Sequence, residues 1–213
     1  MKIIRSTSAS FSRIFAKIRK RGDIEDPGIS RAVSRILADV KRNGDTAVFK
    51  YSRKFDNSKL DSRTCEVSRG ERQQALNLVP AGDLELLSAA AKRIEDFHKK
   101  QLSGTWRHSA EPGIELGQII KPLRKVGIYC PGGLASYPSS VLMTAVPAKV
   151  AGVTEIILTT PAKEGKIAPI IIAAAHVAQV DRIFKIGGAQ AIAALAYGTQ
   201  SVPRVDKIVG PGN

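Results

Sequence analysis

The sequence predicts an α/β fold in which a mainly helical N-terminal region precedes an incomplete Rossmann-like, doubly wound parallel sheet. Two observations support this prediction. Through the first half of the 213-residue chain, apolar residues recur at steps of three or four, which is the period of amphipathic helices. In the second half, short β-rich runs alternate with apolar helical runs across tight loops. We therefore expect a helical region over residues 1–113 and an α/β region over residues 114–213.

The helical region is expected to hold five helices. The first carries Phe11, Ile14, Phe15 and Ile18 at helical spacing. This basic, acid-free segment also has the composition of an organelle transit peptide, and we favour the helix. Four further helices are expected over residues 29–43, from a cap at Asp45 to about residue 53, over 68–78 and over 83–101.

A polar link with Trp106 and His108 and a hairpin arm over residues 114–122 are expected to lead into the α/β region. Four strands are then expected, because each run is short, apolar and rich in β-branched residues. Helices are expected between them, where the sequence is apolar and rich in alanine. The expected strands span residues 126–129, 155–159, 182–186 and 206–209, and the expected helices span residues 139–151, 168–178 and 189–197.

Composition excludes several classes of protein. No run reaches the roughly 18 apolar residues of a membrane span. Cys65 and Cys130 are the two cysteines and form no CxxC pair, so a cysteine zinc site is disfavoured and a reducing cytoplasm is expected. The net charge of +14 is concentrated in the first half, and we interpret it as a solvated helical surface. A nucleic-acid-binding role is the alternative, although no RNA-binding aromatic signature or zinc-finger spacing supports it.

Three glycine-rich loops follow predicted strands: YCPGG from Tyr129, IGGAQ from Ile186 and VGPGN from Val209. In a parallel sheet such loops meet at the carboxyl edge, where ligands of open α/β sheets bind. Glycine lets backbone N–H groups approach a ligand closely, and helix N-termini favour anionic groups. The loops predict a ligand cleft, with ordinary turns as the alternative. GxGxxG and GxxxxGK[ST] are both absent.

The chain has few candidates for acid–base chemistry. His98, His108 and His176 are its only histidines, and none pairs with an acid at a metal-ligand spacing. We expect His176 to pack within its Ala-rich helix. Cys130 lies beside the glycines of the first loop, where a reactive thiol is one interpretation and a small buried side chain is the favoured one.

Two long motifs identify a family. The stretches KVGIYCPGGLASYPSSVLMTAVPAKVAGVTEIILTTP and FKIGGAQAIAALAYGTQSVPRVDKIVGPGN closely resemble histidinol dehydrogenase, and VKRNGDTAVFKYSRKFD matches the family's helical region. The resemblance covers nearly all of residues 30–213. It implies the last step of histidine biosynthesis, in which L-histidinol is oxidised through an aldehyde to L-histidine with two NAD molecules and a zinc ion. It also implies a homodimer.

The resemblance also implies site residues. The family's NAD-contacting positions correspond to Tyr129, Gln190 and Asn213, one in each glycine-rich loop. The family's zinc ligands and catalytic Glu-His pair lie beyond the GPGN motif, so they are expected beyond residue 213 and no catalytic or metal residue is assigned here. We therefore expect this chain to be the N-terminal part of the enzyme and to be inactive by itself. An inactive truncated homologue or binding module is the alternative.

Overall fold

A computed structural model describes residues 3–19, 27–132 and 136–211. The chain divides into two compact units, Met1–Arg35 and Ile36–Asn213. The predicted first helix is confirmed as α1, Phe11–Arg19, and α2 spans Pro27–Asn43. The boundary expected between residues 113 and 114 falls between two paired strands, Trp106–Glu111 and Ile114–Gln118, and as a domain boundary it stays a prediction.

Three more helices precede the first strand: α3 (Asp45–Asp56), α4 (Arg69–Leu78) and α5 (Ala81–Lys99). Ser68 and Glu71 form a capping box at the start of α4, which confirms the predicted start of this helix at Ser68. The predicted cap at Asp45 is wrong, because Gly44 precedes α3 and makes no side-chain cap. The carboxylate of Asp45 instead accepts hydrogen bonds from the backbone N–H and hydroxyl of Ser201, far along the chain.

An exposed antiparallel hairpin follows, formed by β1 (Trp106–Glu111) and β2 (Ile114–Gln118). The polar link expected at Trp106 and His108 is therefore wrong, since both residues lie in β1. Pairing between β1 and β2 explains the difference. Trp106 lies opposite Gln118, and its indole Nε1 donates a hydrogen bond to the Gln118 side chain at 3.2 Å.

The α/β fold class is confirmed by a parallel sheet of four strands, β3 (Lys125–Tyr129), β4 (Glu155–Thr159), β5 (Arg182–Phe184) and β6 (Lys207–Val209). Their order across the sheet is β5-β4-β3-β6. Residues 185 and 186, which were expected to belong to the strand over residues 182–186, lie beyond the end of β5. The Lys185 N–H donates instead to the Cys65 carbonyl, and Glu66 pairs antiparallel with Phe184 along the edge of the sheet. The helices that follow the first three of these strands along the chain are α6 (Pro138–Val150), α7 (Pro169–Val177) and α8 (Gly188–Tyr197).

Each face of the sheet carries its own buried core. Ile156 and Leu158 belong to the core packed under α4–α7, whereas Ile157 between them belongs to the core with α3 and α8. This alternation follows from the two-residue period of a strand and confirms helices on both faces. Gly127 in β3 lets α8 approach, because a Cβ there would lie 2.9 Å from a methyl carbon of Leu195. Among the described residues, no helix has both the length and the apolar character that crossing a membrane requires.

Candidate functional site

A cleft with a volume of about 710 Å³ opens where the strands of the sheet end. Residues that follow β3, β4 and β5 line it, which is the edge at which ligands of open parallel sheets bind. The end of α3 supplies a further wall. The lining residues used below are Phe55, Asp56, Tyr129, Lys163, Lys166 and Gly188.

Tyr129 is the last residue of β3 and lines the cleft as a half-buried side chain. Its hydroxyl accepts a hydrogen bond from the backbone N–H of Gly188 at 3.2 Å. The first and second glycine-rich loops are therefore joined directly. The same phenolic oxygen retains an O–H to donate, so a ligand in the cleft can receive a hydrogen bond from it.

Gly187 and Gly188 form the turn from β5 into α8. A Cβ on buried Gly187 would lie 2.4 Å from the Cγ of Pro161, which no real contact allows. Gly188 has φ +63°, a left-handed conformation that favours glycine. The turn thus requires glycine twice, once for space against Pro161 and once for backbone conformation.

Gln190 lies in the first turn of α8 and is 0% exposed. Neither its amide oxygen nor its amide nitrogen has a hydrogen-bond partner among the described residues. Its Oε1 lies 2.8 Å from the point that a Cβ on Gly188 would occupy, so the amide lies directly behind the lining of the cleft. An unpaired buried amide costs free energy, and such groups in native proteins require an explanation such as a bound ligand or water.

The third loop reaches the same edge of the sheet. A Cβ on Gly210, which has φ +145°, would lie 2.2 Å from the Tyr129 carbonyl oxygen. The residue after β6 is therefore held against the end of β3. Asn213, the third predicted cofactor contact, lies outside the described residues. The structure brings Tyr129 and Gln190 to one turn, and their role as cofactor contacts stays a prediction.

Two walls of the cleft were absent from the sequence-based prediction. The loop after β4 contributes Lys163 and Lys166, and it was detectable, because it follows a strand as the other three loops do. The end of α3 contributes Phe55 and Asp56. No local signal marks these two residues, since they reach the cleft only through the packing of α3 against α8.

Asp56 contributes a half-buried carboxyl group to the cleft. Burial raises its pKa above the ordinary value, and a hydrogen bond from the Gly187 backbone N–H acts in the opposite direction. Its Oδ2 is covered and has no partner among the described residues. The loop after β4 lines the same cleft with Lys163, Glu164 and Lys166. The cleft therefore combines an unsatisfied acceptor with a loop that carries two lysines and one glutamate.

The described residues do not fit a metal site. No group of three or more His, Cys, Asp or Glu side chains in that part of the chain is arranged to hold a metal ion. His176 is exposed near the end of α7, so the predicted packing role is wrong. The reason is that the buried positions of α7 are taken by Ile171–Ala175, and position 176 faces away from them.

Cys130 is buried, which confirms the favoured interpretation of this residue. We expect its thiol to be unreactive in the folded chain, because burial raises its pKa to about 11 and only the thiolate attacks. Treatment at about pH 8 with an aromatic disulfide reagent should label Cys130 only after unfolding in guanidinium. A Cys65→Ser variant leaves Cys130 as the one thiol to follow. Rapid labelling of the folded variant would contradict the assignment.

Comparisons with known proteins agree on one family. The family model for histidinol dehydrogenase matches residues 19–213. A histidinol dehydrogenase of Syntrophotalea carbinolica is 48% identical over 213 residues, covering 100% of this chain and 49% of that protein. A histidinol dehydrogenase of Dechloromonas aromatica is 54% identical over 190 residues, covering 89% of this chain and 44% of that protein.

A solved structure shows the same fold. The crystal structure of histidinol dehydrogenase from Elizabethkingia anophelis superposes with a TM-score of 0.83 at 36% identity, covering 89% of this chain and 43% of that one. The chain therefore spans about half the length of the curated relatives that it matches.

Proposed function

Because this chain belongs to the histidinol dehydrogenase family, we propose that its cleft is part of the NAD-binding site of an enzyme that oxidises L-histidinol to L-histidine through the aldehyde. The observation that carries the proposal is the fully buried amide of Gln190 behind the glycine turn at Gly188, which has no hydrogen-bond partner among the described residues. A ligand with both donors and acceptors satisfies such an amide. A carboxamide or a ribose offers both kinds of group.

The residues present fit a dinucleotide. Tyr129 offers its hydroxyl from the end of β3, and Gln190 offers its amide from the start of α8. Gly188 is exposed and carries no Cβ, so a ligand can approach its backbone closely. We propose Tyr129, Gln190 and Asn213 as cofactor contacts. NAD, when bound, accepts the hydride that leaves the substrate carbon, while these residues bind and orient it.

The zinc requirement is proposed from family membership alone. The described residues hold no cluster that fits a metal, so no step through zinc is assigned to them. Action on L-histidinol, assembly as a homodimer and a cytoplasmic location are likewise proposals for the whole protein. The two free, buried cysteines support a reducing compartment.

Calorimetric titration of NAD⁺ into the 213-residue chain tests the proposal. We expect saturable binding at a single site and a rise in the melting temperature with NAD⁺ concentration, because a ligand that binds only the folded state stabilises it. Binding is the informative measurement, since it depends on the cleft that the structure describes. Neither heat nor a rise in melting temperature at about 100-fold excess NAD⁺ over the chain would overturn the proposal.

The alternative of a nucleic-acid-binding protein makes a different prediction. Binding driven by the +14 net charge would weaken steeply with salt, because each neutralised phosphate releases counterions. The family match over residues 19–213 favours the enzyme. Calorimetric titration of a DNA duplex of random sequence into the chain at two salt concentrations distinguishes the two hypotheses, because only the nucleic-acid-binding hypothesis predicts DNA binding that weakens with salt.

A further inference from the structure

The first turn of α4 holds both ends of β5. Arg72 donates hydrogen bonds from its guanidinium to the backbone carbonyls of Val180 and Asp181, at 3.1 and 2.7 Å, just before the strand begins. Its neighbour Glu71 forms an ion pair with Lys185, the residue that follows the strand. Two consecutive residues of one helix therefore fix the position of β5 at its start and at its end.

Lys185 is a buried cation, because only 6% of this residue is exposed. Among the described residues, Glu71 is the one acid that pairs with its ammonium group. The other oxygen of the Glu71 carboxylate accepts a hydrogen bond from the Ser68 backbone N–H at 2.8 Å, as part of the capping box. The carboxylate is thus fixed on α4 and cannot follow Lys185 if the chain after β5 moves. Since a buried ammonium without its carboxylate is strongly unfavourable, the pair ties this part of the chain to α4.

The chain runs from this ion pair into the glycine turn of the cleft within three residues. Gly187 is buried against Pro161, and the Gly188 N–H donates to the Tyr129 hydroxyl at 3.2 Å. The backbone N–H of Lys185 donates to the Cys65 carbonyl at 2.8 Å. Contacts on both sides of the turn therefore determine where its backbone lies in the cleft.

Resting on the cofactor site proposed above, we propose that the Lys185–Glu71 ion pair positions the 187–188 turn for NAD, although neither side chain is part of the described lining of the cleft. A site binds tightly when its groups are held within about 0.5 Å of the binding geometry by a surrounding layer of locked contacts. A buried ion pair adds little net stability compared with apolar side chains of the same size. The contribution of this pair is therefore to the position of the turn rather than to the stability of the fold.

A Lys185→Met variant tests the positioning role. Methionine fills the buried place with an apolar side chain, and Glu71 stays partly exposed and bonded to the Ser68 N–H. We therefore expect a melting temperature close to that of wild type. Calorimetric titration should nevertheless give NAD⁺ binding about tenfold weaker than that of wild type, because the turn is no longer tied to α4.

Lys125→Met is the matched control. Lys125 begins β3 and pairs with Glu155 at the start of β4, with the two charged atoms 2.7 Å apart. This ion pair lies at the amino ends of the strands, which is the edge of the sheet opposite the cleft. Its removal takes away the same charge and the same kind of contact, and it should leave the NAD⁺ affinity unchanged.

A Glu71→Gln variant and the double variant separate position from stability. Glutamine has one amide oxygen for both the Ser68 N–H and the Lys185 ammonium, and it carries no charge, so the melting temperature should fall. Adding Lys185→Met removes the uncompensated cation and should restore the melting temperature, whereas NAD⁺ binding stays about tenfold weaker than in wild type. If the double variant recovers both properties, the pair is only structural and the proposal is wrong.

Hydrogen exchange of wild type gives a measurement that needs no variant. Because the ion pair links the turn to α4, saturating NAD⁺ should slow amide exchange in residues 68–72 as well as in residues 187–190. The positioning role is overturned if NAD⁺ protects residues 187–190 alone, or if Lys185→Met binds NAD⁺ as tightly as wild type. Failure of wild type to bind NAD⁺ would instead overturn the proposed cofactor site, and the positioning role with it.

Discussion

A Gly187→Ala variant is expected to lose both stability and NAD⁺ binding. The added methyl carbon would lie 2.4 Å from the Cγ of Pro161, 2.7 Å from its Cβ and 3.0 Å from its Cα. Proline is rigid and Gly187 is buried, so the turn into α8 and the loop after β4 must separate. Overpacking of this kind costs about 1–3 kcal/mol of the free energy of unfolding. Because both loops line the cleft, we expect NAD⁺ affinity to fall by at least about tenfold.

Gly82→Ala is the matched control for this variant. Gly82 lies in α5, and a Cβ there would meet nothing within 4 Å. Alanine stabilises a helix by about 0.5–1 kcal/mol relative to glycine, so this change should raise stability and leave NAD⁺ binding unaltered. Denaturant unfolding and calorimetry measure both quantities. Equal stability of the two variants would show that Pro161 moves away without cost.

A Gln190→Leu variant should become more stable while it loses its ligand. The amide of Gln190 is fully buried and has no partner in the part of the chain that the structure describes, and leaving such a group without a partner costs about 1–3 kcal/mol. Leucine has a similar size and no polar atoms, so we expect the free energy of unfolding to rise by about 1–2 kcal/mol. The same change removes a proposed contact with NAD⁺, whose affinity should fall by at least about tenfold.

Opposite changes in stability and binding identify a polar group that is kept for a ligand. Gln74→Leu on the exposed surface of α4 is the control and should change stability by less than about 0.5 kcal/mol. Unfolding in urea with and without NAD⁺ gives both results for each variant. If Gln190→Leu is less stable than wild type in the absence of NAD⁺, the amide has a structural partner and the interpretation is wrong.

Local patterns predicted most of the secondary structure, because helix and strand periods are properties of neighbouring residues. The strand at β4 and the helix at α5 were both found in this way. The errors have long-range causes. Asp45 was expected to cap α3, but its carboxylate is taken by Ser201, and Trp106 was expected in a link, but it pairs with Gln118.

The cleft was predicted only in part. Glycine-rich loops after strands indicated Tyr129 and the 187–188 turn, since the carboxyl ends of parallel strands share one edge. Asp56 gave no such signal, because it ends a helix in the first half of the chain. Its place beside Gly187 results from packing between residues that are far apart in sequence.

By itself, the sequence determined the fold class, the family and the glycine-rich loops, because periodicity and long motifs are written in contiguous residues. The tertiary structure alone decided which groups share the cleft and which of them lack partners. Strand order placed β3 between β4 and β6, and packing on α8 brought the end of α3 to the same edge. Within the described ranges, burial then left Gln190 and one oxygen of Asp56 without partners, and burial depends on every neighbour in space rather than on neighbours in sequence.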